Sequence, residues 1–209
     1  LPSEFERVHR NQWVTSTNQF VPIEWWDACR VRLDDIPPLE KDEPVVVGVD
    51  AAVSGDSFAV IVVSGSKAGD KNYVRYANAW KPPKGGKIDF SKPEREIRRL
   101  VEEYNVVEVC YDEYQLADMA GRMKKEMIAR LYTFQQGKMR LLADKTLYDV
   151  IRRKGICHTG EVMLREHIQN ANAKTEKTWL RLVKRSDLLK IDLAVCLSMA
   201  LYRAKHWQL

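Results

Sequence analysis

The last stretch of the chain, Asp187-Leu-Leu-Lys-Ile-Asp192-Leu-Ala-Val-Cys-Leu-Ser-Met-Ala-Leu-Tyr202, reads as a helix over 188–205 that is apolar on nearly every side. Such a helix has to be packed among other elements, which calls for a layered fold. Asp192 nevertheless shares its inward face with Val195, Cys196 and Met199, its i+3, i+4 and i+7 neighbours. A buried carboxylate without a partner costs several kcal/mol or gives up its charge. No Arg or Lys lies on that face nearby, so a cation is the expected partner, and other carboxylates should share it. Asp187 reads as the N-terminal cap of the helix.

The 209 residues are 45% hydrophobic and 30% charged, a balance that fits one compact domain with a short appendage. Apolar runs such as Phe58 to Val63 are too short to cross a bilayer as a helix, and no signal peptide opens the chain. It begins at Leu1 rather than at a methionine, so a piece of a longer protein is expected. Cys29, Cys110, Cys157 and Cys196 are scattered without a CxxC pair, the pattern of buried thiols in a reducing compartment. The net charge is +5, and residues 138–190 alone hold 13 Lys/Arg against 6 Asp/Glu, a local +7. That asymmetry points to a polyanion such as nucleic acid, with a merely solvated basic face as the alternative.

Residues 1–44 differ from the rest. They carry Trp13, Trp25 and Trp26, a short helix near 23–30, and a Pro-rich boundary, Pro37-Pro38-Leu-Glu-Lys-Asp-Glu-Pro44. They read as an arm or linker that docks on a neighbouring domain. Residues 45–209 form the main domain. Val45-Val-Val-Gly-Val-Asp50 is the β-branched run of a central buried strand, and 57–64 and 72–80 complete an antiparallel meander. A helix over 91–104, a strand over 106–112, a helix over 114–127 and a strand over 130–134 follow. Helices near 140–154 and 161–171, and a strand near 178–183, precede the closing helix. The expected fold is α/β: a mixed five-stranded sheet, a three-strand antiparallel meander plus parallel strands, flanked by helices on both faces.

Two aspartates end buried strands, Asp50 the first and Asp112 the fourth. Ligands of open α/β sheets bind at strand carboxyl ends, so these two would sit side by side if their strands are adjacent and parallel. The last helix could deliver Asp192 to the same point. Three converging carboxylates repel one another unless cations lie between them, and all-oxygen ligation suits Mg²⁺ or Mn²⁺. Each has a plainer reading: Asp112 could cap the next helix through Asp112-Glu-Tyr-Gln115, and Asp50 could form a turn. Asp56 and Glu113 are supplementary ligand candidates. Two such ions activate a water and stabilise the leaving oxygen of a phosphodiester without a His or Cys nucleophile. Arg152, Arg153, Lys154, Lys174, Lys177, Lys184 and Arg185 would then neutralise DNA phosphates. For His158 and His167 structural roles are favoured over phosphate contact.

At these residues the chain resembles the ribonuclease H-like superfamily, and more narrowly the C-terminal nuclease domain of tailed-phage terminase large subunits. The resemblance rests on Val47-Gly-Val-Asp50-Ala-Ala with Gly55-Asp56, on Tyr111-Asp112-Glu-Tyr-Gln115-Leu-Ala-Asp-Met119, and on Lys190-Ile-Asp192-Leu-Ala-Val-Cys-Leu-Ser-Met199-Ala. His167-Ile-Gln-Asn170-Ala-Asn-Ala, His9-Arg-Asn11-Gln-Trp13 and Trp25-Trp26-Asp27 are also similar to that family. It implies a Mg²⁺- or Mn²⁺-dependent endonuclease with Asp50, Asp112 and Asp192 as metal ligands, cutting concatemeric double-stranded viral DNA in the host cytoplasm. It implies as partners a small terminase subunit, the portal and procapsid, and a packaging ATPase N-terminal to residues 1–44. The sequence holds no GxxxxGK[ST] loop for that motor; Lys84-Gly-Gly-Lys87-Ile88 lacks the spacing. A Holliday-junction resolvase, transposase or ribonuclease H would share the metal chemistry, and an actin-like or sugar-kinase ATPase half is the alternative of another class.

Overall fold

The computed structural model describes residues 18–209 except 52–56, 67–68, 84 and 177–178. The strands β2 (Pro44–Ala51), β3 (Phe58–Gly65) and β4 (Asn72–Trp80) form the antiparallel meander, and β5 (Asn105–Tyr111) pairs with β2 in parallel. With β6 (Leu131–Thr133) beside β5 and β7 (Ile156–Cys157) beside β4, both parallel, the sheet order is β6-β5-β2-β3-β4-β7. Only β3 runs against the others, so the carboxyl ends of β2, β4, β5 and β6 share one end of the sheet. Six helices accompany it among the described residues: α1 (Ile23–Asp27), α2 (Ser91–Glu103), α3 (Glu113–Lys125), α4 (Lys138–Arg152), α5 (Val162–Gln169) and α6 (Asp192–His206). None is long and apolar enough to cross a membrane.

Strand alternation divides the interior into two cores. Val46, Ala59, Ile61, Val63 and Cys110 face one side and meet α4, α5 and α6. Val45, Val47, Val49, Phe58, Val60 and Val62 face the other and meet α2 and α3. Because both faces are covered, β2 and β3 read as continuous apolar runs. The helix α6 is the centre of the first core, with residues 193–201 all buried.

The five expected strands all lie in the sheet, and the structure adds to them. Two-residue β7 adds a sixth strand, too short to leave a periodic signal. The strand expected near 178–183 is β9 (Trp179–Lys184), which lies outside the main sheet. It pairs with β8 (Ala171–Glu176) and β1 (Asn18–Gln19) in a three-stranded antiparallel sheet. The segment Ala171-Asn-Ala-Lys-Thr-Glu has little β-branched or aromatic character, so its strand state is owed to pairing rather than propensity. Of residues 1–44, the described part from 18 onward packs on the main domain. Phe20, Val21, Trp26 and Cys29 are buried, and Trp26 stacks on His158 with centroids 4.1 Å apart. All four cysteines are buried thiols outside any disulfide.

The closing helix begins at Asp192 rather than at 188. Leu188 is 90% exposed, so the apolar look of 188–191 does not reflect burial as helix. Asp187 lies in a turn and caps nothing in α6, whose N-cap position is Ile191.

Candidate metal centre

Asp50 is the penultimate residue of β2 and is partly exposed. The β2–β5 register pairs Gly48 with Cys110 and Val49 with Tyr111. One further step brings Asp50 beside Asp112, whose backbone is still extended (φ −80°, ψ 124°). Neighbouring strands lie about 4.8 Å apart, and residues two apart on a strand share a face. Asp50 and Asp112 therefore lie on the face of Gly48 and Cys110, the face that α6 covers. The plainer reading of Asp112 also holds for one of its oxygens: Oδ1 accepts the Tyr114 N–H at 3.1 Å and caps α3.

Asp192 is 5% exposed and is the first residue of α6, not an interior one. A carboxylate is electrostatically favoured at that end of a helix, which supplies part of the compensation for its burial. Its Oδ2 accepts the Ser57 N–H at 3.2 Å and a short hydrogen bond from the Ser57 hydroxyl. Ser57 precedes Phe58, the partner of Ala51 at the end of β2, so this clamp holds Asp192 at the carboxyl end of the same strand.

Gly48 sets how closely α6 approaches. A Cβ there would lie 2.5 Å from the Cys196 carbonyl oxygen, which only glycine tolerates. From that crossing, Asp192 is about one turn back along the helix and Asp50 two residues ahead along the strand, each about 6 Å away. Helix and strand run in opposed directions, so the two acids arrive at the same end. The buried Cys196 thiol reflects this. Burial pushes its pKa well up, and the charges of Asp50 and Asp192 push it further.

The N-terminus of α6 is held from α5 as well. Buried His167 accepts the Leu193 N–H at Nδ1, 3.0 Å away, and Asn170 Nδ2 donates to the Lys190 carbonyl at 3.1 Å. Burial brings the His167 pKa down to about 4; Glu166 opposes this, while Lys81 and Lys190 add to it. The imidazole is thus neutral, carrying its proton on Nε2. Sequence reading anticipated a structural His167 and named Asn170 only within the stretch His167-Ile-Gln-Asn170, without a role; it missed Ser57, whose only signal is proximity in the fold.

Asp50, Asp112 and Asp192 thus converge on one end of one face, although among the described residues no three Asp, Glu, His or Cys side chains are grouped tightly enough to grip an ion. Asp56 falls outside the described residues, and Glu113 is exposed on the first turn of α3. The basic candidates divide. Arg152, Arg153 and Lys154 precede β7, whose parallel pairing with the start of β4 puts them at the amino end of the sheet. That end is about 20 Å from Asp50, the length of six strand residues. Lys174 is exposed on the β8–β9 hairpin, and Lys184 and Arg185 lie at its base, where Arg185 donates to the Gln169 carbonyl at 2.7 Å. Lys177 lies outside the described residues.

The family model of the terminase large subunit endonuclease domain matches residues 66–207. The chain belongs to this family. Its fold is ribonuclease H-like, and membership of an endonuclease family, rather than that fold, sets aside the actin-like ATPase alternative. The large terminase of bacteriophage HK97 superposes with a TM-score of 0.77 at 19% identity, over 98% of this chain and 48% of that one. The chain thus spans about half the HK97 terminase. The large terminase nuclease of thermophilic phage G20c with bound magnesium gives 0.62 at 12% identity, over 89% of this chain and 97% of that one. The SPP1 g2p nuclease domain with bound manganese gives 0.55 at 12%, over 78% and 88%. No curated protein sequence matches the chain.

Proposed function

We propose that this terminase nuclease domain is a Mg²⁺- or Mn²⁺-dependent endodeoxyribonuclease that cuts concatemeric viral DNA during genome packaging. The observation that carries the reading is the convergence of Asp50, Asp112 and Asp192 on the α6 face of the sheet's carboxyl end. The donor set is carboxylate oxygen, which suits hard divalent cations, and the magnesium- and manganese-bound relatives support the same ions. Asp50, Asp112 and Asp192 would hold two ions, which supply an activated water and stabilise the leaving oxygen.

The chain's own residues do the positioning. Ser57 keeps Asp192 oriented, so that its carboxylate would be presented to an ion in a set direction. The Gly48 contact and the His167–Leu193 bond fix the height of α6 above the strands. The Asp112–Tyr114 bond sets the rotamer of Asp112. Each is a support of the kind that typically changes metal affinity or activity by about 10–100-fold when removed. In the longer protein, residues 1–44 would join an N-terminal packaging ATPase. The small terminase subunit and the portal would be its partners, in the host cytoplasm.

Supercoiled plasmid incubated with Mn²⁺ or Mg²⁺, with and without EDTA, tests the reading. Cutting that requires the metal and disappears in Asp192→Ala is expected. Robust cutting in EDTA, or full activity in that variant, would overturn the mechanism.

A further inference from the structure

The β3–β4 register pairs Phe58 with Trp80, so the next step sets Lys81 across from Ser57, the residue that clamps Asp192. Directly opposed residues point to the same face, which places Lys81 on the side where Ser57 meets α6. Lys81 is exposed. On the other side of the clamp, Lys190 lies two residues before Asp192, with its backbone fixed by Asn170. The two are near enough to one shared point that both their charges bear on His167, which itself holds the first turn of α6. Two cations therefore flank the most buried acid of the site, each on backbone tied to a hydrogen-bonded element. The richest basic run of the sequence, Arg152-Arg153-Lys154, is at the opposite end of the sheet.

Resting on the nuclease reading above, we propose that Lys81 and Lys190 form the phosphate seat of the site. They grip backbone phosphates of the DNA duplex next to the one that is cut, and Arg152–Lys154 do not contribute to that grip. A strand carrying one negative charge per phosphate is repelled by three aspartates until metal binds. Ammonium groups carried on backbone at both flanks of Asp192 offset that repulsion and set which phosphate reaches the acids. Lysine suits this role, since a compact point charge recognises phosphate without reading the bases.

The test uses the whole chain as wild type, Lys81→Ala/Lys190→Ala, Lys81→Arg/Lys190→Arg and Arg152→Ala/Arg153→Ala/Lys154→Ala. Anisotropy of a fluorescein-labelled DNA duplex is followed across a KCl series in EDTA, and plasmid cutting is followed in Mn²⁺. Each phosphate contact contributes about 0.9 to the slope of log affinity against log salt, so the alanine pair should flatten it by about 1.8. The same pair should slow cutting, and the arginine pair should restore both, which separates lost charge from misfolding. The triple variant should keep the wild-type slope. A wild-type slope and wild-type cutting in the alanine pair, or a flattened slope in the triple variant alone, would overturn the seat. If the alanine pair flattens the slope but wild type shows no metal-dependent cutting, the nuclease reading fails, and only a phosphate grip without a cut beside it remains. If wild type cuts with metal and the alanine pair binds and cuts as it does, the seat alone fails.

Discussion

The two ends of α6 are fastened by different chemistry. At its C-terminal end, buried Arg203 donates to both oxygens of buried Glu108 on β5, at 2.5 and 2.7 Å, and Trp207 Nε1 adds a third bond at 3.3 Å. Arg203 also stacks over Tyr132, its guanidinium carbon 3.7 Å from the ring centroid. At its N-terminal end the bonds that position it are of another kind. Ser57, His167 and Asn170 hold the backbone and one oxygen of Asp192 through neutral hydrogen bonds. A satisfied ion pair anchors an element but has little left to offer a ligand. Neutral donors position a carboxylate while leaving it its charge. The far end of α6 is thus built to hold the fold, and the near end to present an acid.

Breaking the anchor should give the largest effect. Glu108→Ala leaves the Arg203 guanidinium buried without its partner, at a cost of about 3–5 kcal/mol, read by urea denaturation. The molecules that remain folded should still cut DNA. Asp192→Asn should show the converse. It keeps an oxygen for Ser57 while removing the charge, so cutting should fall by at least about 100-fold with stability changed by less than about 1 kcal/mol. If Asp192→Asn unfolds the chain while Glu108→Ala leaves stability intact, the division between the two ends is wrong.

Between these lies Gly48→Ala. The added Cβ would meet the Cys196 carbonyl, so α6 must lift, at a cost of about 1–3 kcal/mol. Cutting should fall as well, because the lift carries Asp192 away from Asp50. The smallest expected effect is a pH slope. His167 titrates near 4 when folded and near 6.5 when unfolded, so between those values the unfolded chain binds the extra proton. Stability should therefore fall as pH drops from 6.5 toward 4. His167→Asn, which keeps an acceptor for Leu193 without the titration, should show a shallower fall in thermal scans.

Much of this contrast was legible in the sequence, and the missing part has one physical cause. Asp50 and Asp112 were visible because a buried strand leaves a β-branched run and its polar residue marks the end. Asp192 was visible as a carboxylate in an apolar stretch, but its position at the helix start was not. The residues 188–191 are apolar enough to pass for helix, and only the fold shows Leu188 in solvent. Ser57 and Lys81 carry no local signal, since their placement arises from strand register and from which helix lies overhead, and Asn170 stood in a family-like stretch without showing what it bonds. The charge reading meets the same gap. A run such as Arg152-Arg153-Lys154 records sign and density along the chain, and only the parallel pairing of β7 with β4 tells which end of the sheet it occupies. The β8–β9 sheet was half seen because β9 has strand-forming residues and β8 borrows its state from pairing.

The central claim is that Asp50, Asp112 and Asp192 meet around divalent metal. A crystal soaked in Mn²⁺ and measured for anomalous scattering tests it most directly. One or two peaks within bonding distance of all three carboxylates, lost in Asp192→Asn, are predicted. Peaks bound elsewhere, or none among these aspartates in a protein that cuts DNA with Mn²⁺, would contradict it.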